Sequence, residues 1–330
     1  MMDLKNKSIL IGFVLMLLGI TMTGIKKKIR ADKLMSIKKN SSSGQFDEKS
    51  FFKNSYYYVK NKGERPFFLR AKNIVMNPKN KEISFVMPRG TIYEDKGEKV
   101  FYQADGGHLD EKQDVLFLDK KVSVSTGSSV LKSKKLRYNF PKMKLIALGN
   151  VRTRTSSKKT GDKVFIKSSK LVSLGQKKEI YVYSGKVKGT IKRKRVYEES
   201  VHFNSNNLNF NKKKLKAYLE GKVVFKYKKF KAWAQKGEIF LENYNNNLKY
   251  FALYDDVKVK EVLSFQGKNV IRKAFSEKLE GFPGKSKAIL TGYPKVIQAD
   301  DTIVGNKIIL RWNNEVLEII DANSNLKVKK

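Results

Sequence analysis

Residues 200–228, SVHFNSNNLNFNKKKLKAYLEGKVVFKYK, indicate the fold of this chain. Over the second half of this stretch, small and apolar residues occupy one parity: Leu215, Ala217, Leu219, Gly221, Val223, Phe225 and Tyr227. Lysines occupy most of the other parity. Successive side chains of a β-strand point to opposite faces, so the alternation predicts a strand with one apolar face and one lysine-coated face.

The same pattern recurs along the chain as a β-rich run, a small or polar pair, and a valine that restarts the strand. These restart valines are Val122, Val151, Val187, Val223 and Val257, which by subtraction lie 29, 36, 36 and 34 residues apart. A repeat of this length with period two predicts stacked β units, each burying one face against its neighbours.

The composition limits the class of protein. With 40% hydrophobic residues the 330-residue chain can build a core, and the absence of cysteine excludes disulfides and cysteine-ligated metals. A formal charge of +39 favours an anionic partner or setting, such as nucleic acid, anionic lipid or a phosphorylated glycolipid. The alternative is that the lysines only form a solvated polar face.

An uncharged run at residues 8–25 predicts a membrane anchor. Its 18 residues would span about 27 Å as a helix, close to the thickness of a bilayer core. No small-residue cleavage site follows it, so we expect it to be uncleaved. Residues 1–7 are then a cytoplasmic stub and residues 26–50 a polar linker. The lysines after the span would, by the positive-inside rule, keep the body cytoplasmic.

Beyond the linker the sequence predicts an all-β body without amphipathic helices. The basic stretch 190–200, TIKRKRVYEES, is interpreted as the boundary between two bodies, 51–195 and 196–330. Residues 266–280 are less periodic and predict a long loop.

Motifs of catalysis are missing from the sequence. There is no nucleophile elbow, phosphate-binding loop, zinc motif or dinucleotide fingerprint, and His108 and His202 stand in no metal or triad spacing. We therefore predict no enzyme, no catalytic residue, no metal and no cofactor. Nucleic-acid binding is also disfavoured, because Phe225, Phe251 and Tyr183 lie on the apolar parity and would point away from the lysines.

Two parts of the chain resemble the LptC/LptA (OstA-like) family of lipopolysaccharide-transport proteins. The N-terminal anchor with residues 102–122 and 136–151 is similar to LptC, the membrane-anchored subunit. Residues 279–284 (LEGFPG), 290–292 and 300–310 are similar to LptA, the soluble bridge protein. The resemblance covers roughly residues 45–330.

The resemblance implies an antiparallel β-jellyroll, open along one side, with an LptC-like part at 51–195 and an LptA-like part at 196–330. It implies a body in the periplasm of a Gram-negative bacterium, anchored in the inner membrane, which overrides the positive-inside count. The implied partners are lipopolysaccharide, the inner-membrane Lpt ABC transporter, and an LptA-type or LptD-type jellyroll at an open end, with no nucleic acid.

The residues expected to line a lipid groove are those on the parity of the restart valines: Leu118, Val122, Ala147, Val151, Tyr183, Val187, Leu219, Val223, Phe225, Phe251, Leu253 and Val257. The alternative is a structural envelope protein in which these side chains fill a dry core.

Overall fold

The computed structural model describes residues 49–59, 67–93, 99–157, 160–174, 179–194, 199–242, 248–265, 268–298, 301–312 and 317–320. These residues belong to one compact unit, Lys49–Lys330. The predicted stub and anchor, and all but the last two residues of the predicted linker, lie outside the described residues. Within the described part of the chain, no helix is long and apolar enough to span a membrane.

The described chain is all-β, as predicted. Its strands are β1 (Ser50–Val59), β2 (Phe67–Asn77), β3 (Glu82–Val86), β4 (Arg89–Tyr93), β5 (Lys99–Gln103), β6 (Gly106–Asp110), β7 (Val115–Ser125), β8 (Ser129–Asn139), β9 (Lys144–Ser156), β10 (Lys163–Leu174), β11 (Ile180–Lys192), β12 (Val201–Asn211), β13 (Lys216–Tyr227), β14 (Phe230–Leu241), β15 (Leu248–Phe265), β16 (Lys268–Phe282), β17 (Lys287–Thr291), β18 (Lys295–Gln298), β19 (Asp301–Val304), β20 (Lys307–Arg311) and β21 (Leu317–Ile320). One 3₁₀ turn, Pro283–Lys285, interrupts them.

The strands form one antiparallel meander. From β7 to β16 each strand pairs with the next in sequence. Towards the ends of the sheet, two short strands placed end to end take the position of one long strand and pair with the same neighbouring strands. These pairs of short strands are β3 with β4, β6 with β5, β17 with β18, and β20 with β19. Among the described residues, β1 and β21 each have one neighbour, so the sheet is not closed into a ring.

A line of β-bulges crosses the sheet, and the recurring sequence motif marks it. In β7, β9, β11, β13 and β15, two consecutive residues with positive φ precede the restart valine, and the strand register shifts there. The residue pairs with positive φ are Lys120–Lys121, Gly149–Asn150, Gly185–Lys186, Gly221–Lys222 and Asp255–Asp256. A bulge bends its strand and increases its twist. The alternation read from Leu215 onward is therefore not continuous, because it is interrupted at Gly221.

Four strands that neighbour the bulged strands carry a serine motif that sequence reasoning missed. In β8, β10, β12 and β16 a buried serine lies at the bulge line, and its hydroxyl donates to the carbonyl two residues later. These serines are Ser133, Ser168, Ser205 and Ser276. Three residues after each serine the next buried leucine follows, so these strands change parity at the line while the bulged strands keep theirs.

The bulge line divides the sheet into two halves. Half A is the part that ends in the turns at 140–143 and 212–215, and half B is the part that ends in the turns at 126–128 and 228–229. On β14, the partners of Phe225 (half B) and Phe251 (half A) are seven residues apart, about 23 Å at ~3.3 Å per residue. Their ring centroids are nevertheless 4.1 Å apart, so the sheet is folded over and the inner faces of the two halves meet.

One hydrophobic cluster fills the space between the halves, extending in sequence from Phe67 to Trp312. The predicted boundary at 195/196 falls between β11 and β12, which pair as neighbours from Ile180 to Ile191. The sheet and its core therefore continue from one predicted region into the other.

The prediction of a long loop at 266–280 is wrong. β16 covers Lys268–Phe282 and pairs with β15 along most of its length. The periodicity was obscured because the parity changes between Ser276 and Leu279, and because charged Arg272 takes an inward position.

Candidate functional site

All twelve predicted groove residues lie on bulged strands and face the interior between the halves. Each is between 0% and 3% exposed. Alternation in the sequence identified them because the inward side chains of each bulged strand stay on one parity across the bulge line, while the neighbouring strand, which has one residue fewer there, changes parity. They occupy the deepest part of the fold, beside the bend, where the two inner faces are closest.

The deep interior of the C-terminal region is filled by aromatic rings. Phe225 stacks on Phe251, and Trp312 lies 6.3 Å from Phe251 and 5.5 Å from Tyr227, between ring centroids. Phe230 contacts both Phe251 and Trp312. Because these rings come from both halves, they pack the inner face of half A against the inner face of half B.

A small apolar cleft lies further from the bend, between the ends of the strands. It measures about 80 Å³, less than three water molecules occupy in the liquid at ~30 Å³ each. Half A contributes Tyr138, Met143 and Leu145 to its lining, and half B contributes Ile92 and Val100. The predicted groove residue Leu118 reaches it from the deep side. Sequence reasoning missed these strand-end residues.

Two tyrosines carry buried hydroxyl groups within this interior. Burial raises the pKa of Tyr183 to about 12, so its hydroxyl stays protonated and donates to Thr153 of half B at 3.3 Å. Burial likewise raises the pKa of Tyr102 well above its ordinary value, and this hydroxyl donates to the carbonyl of Phe68 at 3.1 Å.

A buried ion pair lies inside half B near the C-terminal end. Glu261 and Arg272 are opposite each other on β15 and β16, and Arg272 Nη1 is 3.2 Å from Glu261 Oε2. Both side chains are at most 2% exposed. Gln298 accepts a second hydrogen bond from Arg272 Nε at 2.8 Å. No sequence pattern revealed this cluster, because the charges take positions that alternation assigns to apolar residues.

The outward faces of the two halves differ in charge. On half A, acidic and basic side chains pair: Lys216 with Glu238 at 3.1 Å and Lys278 with Glu280 at 3.0 Å. Burial raises the pKa of the Glu280 carboxyl, but hydrogen bonds from Tyr250 and Lys278 lower it more, so it lies below its ordinary value. On half B beyond the bulge line, the charged outward residues described on β8 to β16 are all basic.

The two histidines take part in ordinary local contacts. His108 stacks on Phe117 with ring centroids 4.5 Å apart, and His202 shares a hydrogen bond with Thr190 at 3.1 Å. In the described part of the chain, no group of three acidic or histidine side chains is placed to hold a metal ion.

An antiparallel sheet folded along a bulge line, apolar inside and unclosed at both ends, is a β-jellyroll. Residues 13–146 match the family described as lipopolysaccharide-assembly, LptC-related. Residues 202–316 match the family described as LptA/(LptD N-terminal domain) LPS transport protein. The chain therefore belongs to the LptC/LptA-like family of lipopolysaccharide-transport proteins, with an LptC-related region followed by an LptA-like region.

Among solved structures, the chain is similar to LptH from Pseudomonas aeruginosa, titled the LptA homologous periplasmic component of the conserved lipopolysaccharide transport device. The sequence identity is 17% and the TM-score 0.34, over 39% of this chain and 89% of that one. No curated protein matches the chain.

Proposed function

We propose that this protein is a membrane-anchored periplasmic component of the lipopolysaccharide export bridge, and that it holds lipid A acyl chains between its two half-sheets. Membership of the LptC/LptA-like family supports the transport role. The observation that carries the proposal is the single hydrophobic cluster between halves A and B, which runs through both family regions.

Acyl chains need such an interior to cross an aqueous gap. Each methylene moved into water costs about 0.8 kcal/mol, so a chain of about twelve carbons loses on the order of 10 kcal/mol. At ~4.8 Å between strands, the ten strands β7–β16 extend the interior by about 43 Å. A single chain thus supplies a continuous path across its LptC-like and LptA-like regions.

The inner faces of the two halves pack against each other, so lipid entry would require the halves to separate. The cleft at Tyr138, Met143 and Leu145 is the natural entry, because these three lining residues are only partly buried and largely apolar. From there, acyl chains would next meet the predicted groove residues, beginning with Leu118. No catalytic group is needed for this role, since the ATPase of the inner-membrane transporter would drive movement.

The unclosed ends of the sheet fit the partners that this role needs. β1, next to the predicted linker and anchor, would face the Lpt ABC transporter. β21 and β19 at the other end offer unpaired strand edges, which an LptA-type or LptD-type jellyroll would extend by strand addition.

Photocrosslinking along one strand tests the proposal. A photoreactive residue at inward Leu145 should crosslink lipopolysaccharide in cells, whereas one at the neighbouring outward Ile146 should not. Both positions are half-buried, so they form a matched pair. At the buried Leu219 we expect crosslinks to lipopolysaccharide only during active transport. Equal labelling at Leu145 and Ile146 would contradict an interior path.

A structural envelope protein with a dry core is the second candidate, and the close packing at Phe225 and Phe251 favours it. It predicts that no inward position crosslinks lipid and that no lipopolysaccharide copurifies with the chain.

A further inference from the structure

The outward face of half B, from β8 to β16, carries cations that oppose each other directly across neighbouring strands. The first row is Lys132, Arg152, Lys167 and Lys188, one on each of β8 to β11. The second row is Lys226, Lys231, Lys260 and Lys273, one on each of β13 to β16. All eight side chains are exposed. We call this surface the basic face.

Like charges in directly opposed positions of a sheet destabilise it. On half A, by contrast, lysines such as Lys216 and Lys278 have acidic neighbours in salt-bridge range. Beyond the bulge line, no described strand residue that points outward on this face is acidic, and the eight cations form no ion pair among the described residues. Asp256, at the bulge line, pairs with Lys258. A surface that accepts this repulsion in the folded state is suited to an anionic partner, which removes it on binding.

The basic face also carries apolar side chains between the lysines. Phe275 and Ile271 on β16 are 38% and 44% exposed. Trp233 on β14 lies under the Lys231 ammonium group, 4.6 Å from its ring centroid, and shares a shallow cleft with His202 and Val224. Phe225, Phe251 and Tyr183 point inward, as their parity predicted, but Trp233 and Phe275 lie among the lysines of this face.

We propose that the basic face binds the surface of an anionic phospholipid bilayer. The two rows lie on different strands and together extend about 38 Å across the eight spacings from β8 to β16. Exposed Arg154, Lys163 and Lys192 extend the positive charge along the strands, so the cations cover an area, which matches a charged plane better than a single polyanionic strand. Tryptophan, phenylalanine and isoleucine among lysines are the side chains that enter the headgroup region of a bilayer. The predicted linker, 26–50, joins the unit to the predicted anchor, so a bilayer lies within reach.

This inference concerns the outside of the sheet and does not rest on the lipid path between the halves. The bound state would hold the jellyroll along the bilayer, and its release would be needed before both ends of the sheet could dock across the periplasm. The basic face would then compete with bridge assembly.

A fluorescent probe on the full-length chain tests the proposal. The chain has no cysteine, so a single cysteine can be labelled with an environment-sensitive dye. Thr190→Cys places the dye on the basic face, and Asn209→Cys places it on the outward face of half A on the adjoining strand. In reconstituted vesicles containing phosphatidylglycerol, the dye at position 190 should shift to the blue and the dye at 209 should not. Neutral phosphatidylcholine vesicles, or about 1 M salt with its ~3 Å Debye length, should abolish the shift.

Two charge variants of equal net charge provide the control. Replacing the second row by glutamine, as Lys226→Gln, Lys231→Gln, Lys260→Gln and Lys273→Gln, should lower the apparent affinity for anionic vesicles at least ~100-fold. Replacing four exposed lysines elsewhere, at Lys135, Lys170, Lys222 and Lys249, should change it less than about fivefold.

The proposal is overturned by equal shifts at positions 190 and 209, by equal losses in the two variants, or by a shift in neutral vesicles. A response of the dye at 190 to single-stranded DNA but not to anionic lipid would also overturn it, and would assign the basic face to nucleic acid.

Discussion

The buried ion pair of Glu261 and Arg272 yields the sharpest prediction about stability. Glu261→Gln keeps the size of the side chain but removes the negative charge opposite the Arg272 guanidinium, which is 0% exposed. Removing one partner of a buried pair typically costs 3–5 kcal/mol, since the remaining charge stays out of water, so we expect a loss of about 4 kcal/mol in the free energy of unfolding. Gln298 would still accept from Arg272, but an amide does not neutralise the charge.

The assay is urea denaturation of the purified chain followed by tryptophan fluorescence, since Trp312 lies in the adjoining aromatic cluster. The control is Asp256→Asn, which removes the exposed ion pair of Asp256 with Lys258 and should cost less than about 1 kcal/mol. The double variant Glu261→Leu with Arg272→Met removes both charges, and we expect it to be more stable than Glu261→Gln alone. The reasoning fails if Glu261→Gln unfolds within about 1 kcal/mol of the control variant.

Three further outcomes are expected. Gly221→Ala should destabilise the chain by about 1–3 kcal/mol in urea, because φ is +75° there and the added carbon would meet a neighbouring side chain, whereas Gly284→Ala, in open space, should change little. Glu280→Gln should lose stability at neutral pH; since the folded pKa lies below the ordinary 4.5, that deficit should shrink as the pH falls through the folded pKa, and a constant deficit would contradict the assignment. Tyr183→Phe should cost about 1 kcal/mol by removing the bond to Thr153, and an ultraviolet titration should lose a phenol that ionises at about pH 12.

Alternation and repetition in the sequence determined the fold class and the inward residues. Strand side chains alternate with a period of two, so Leu219 and Val223 could be assigned to the apolar face without a structure. The small or polar pair before each restart valine was visible as well, although its meaning was not. The assignment succeeded across the bend because the single extra residue of each bulge is accommodated by a change of parity on the neighbouring strand, so the bulged strand keeps its own parity.

Only the tertiary structure decided where the sheet folds over so that its two halves meet. The contact between Phe225 and Phe251 joins positions that a flat sheet would keep far apart, and sequence alternation carries no information on where a sheet folds. The buried pair of Glu261 and Arg272 was hidden for a related reason, because a charge is tolerated inside only when its partner arrives from the neighbouring strand. Local periodicity fixes which way a side chain points, whereas strand register and folding along the bulge line fix what it meets.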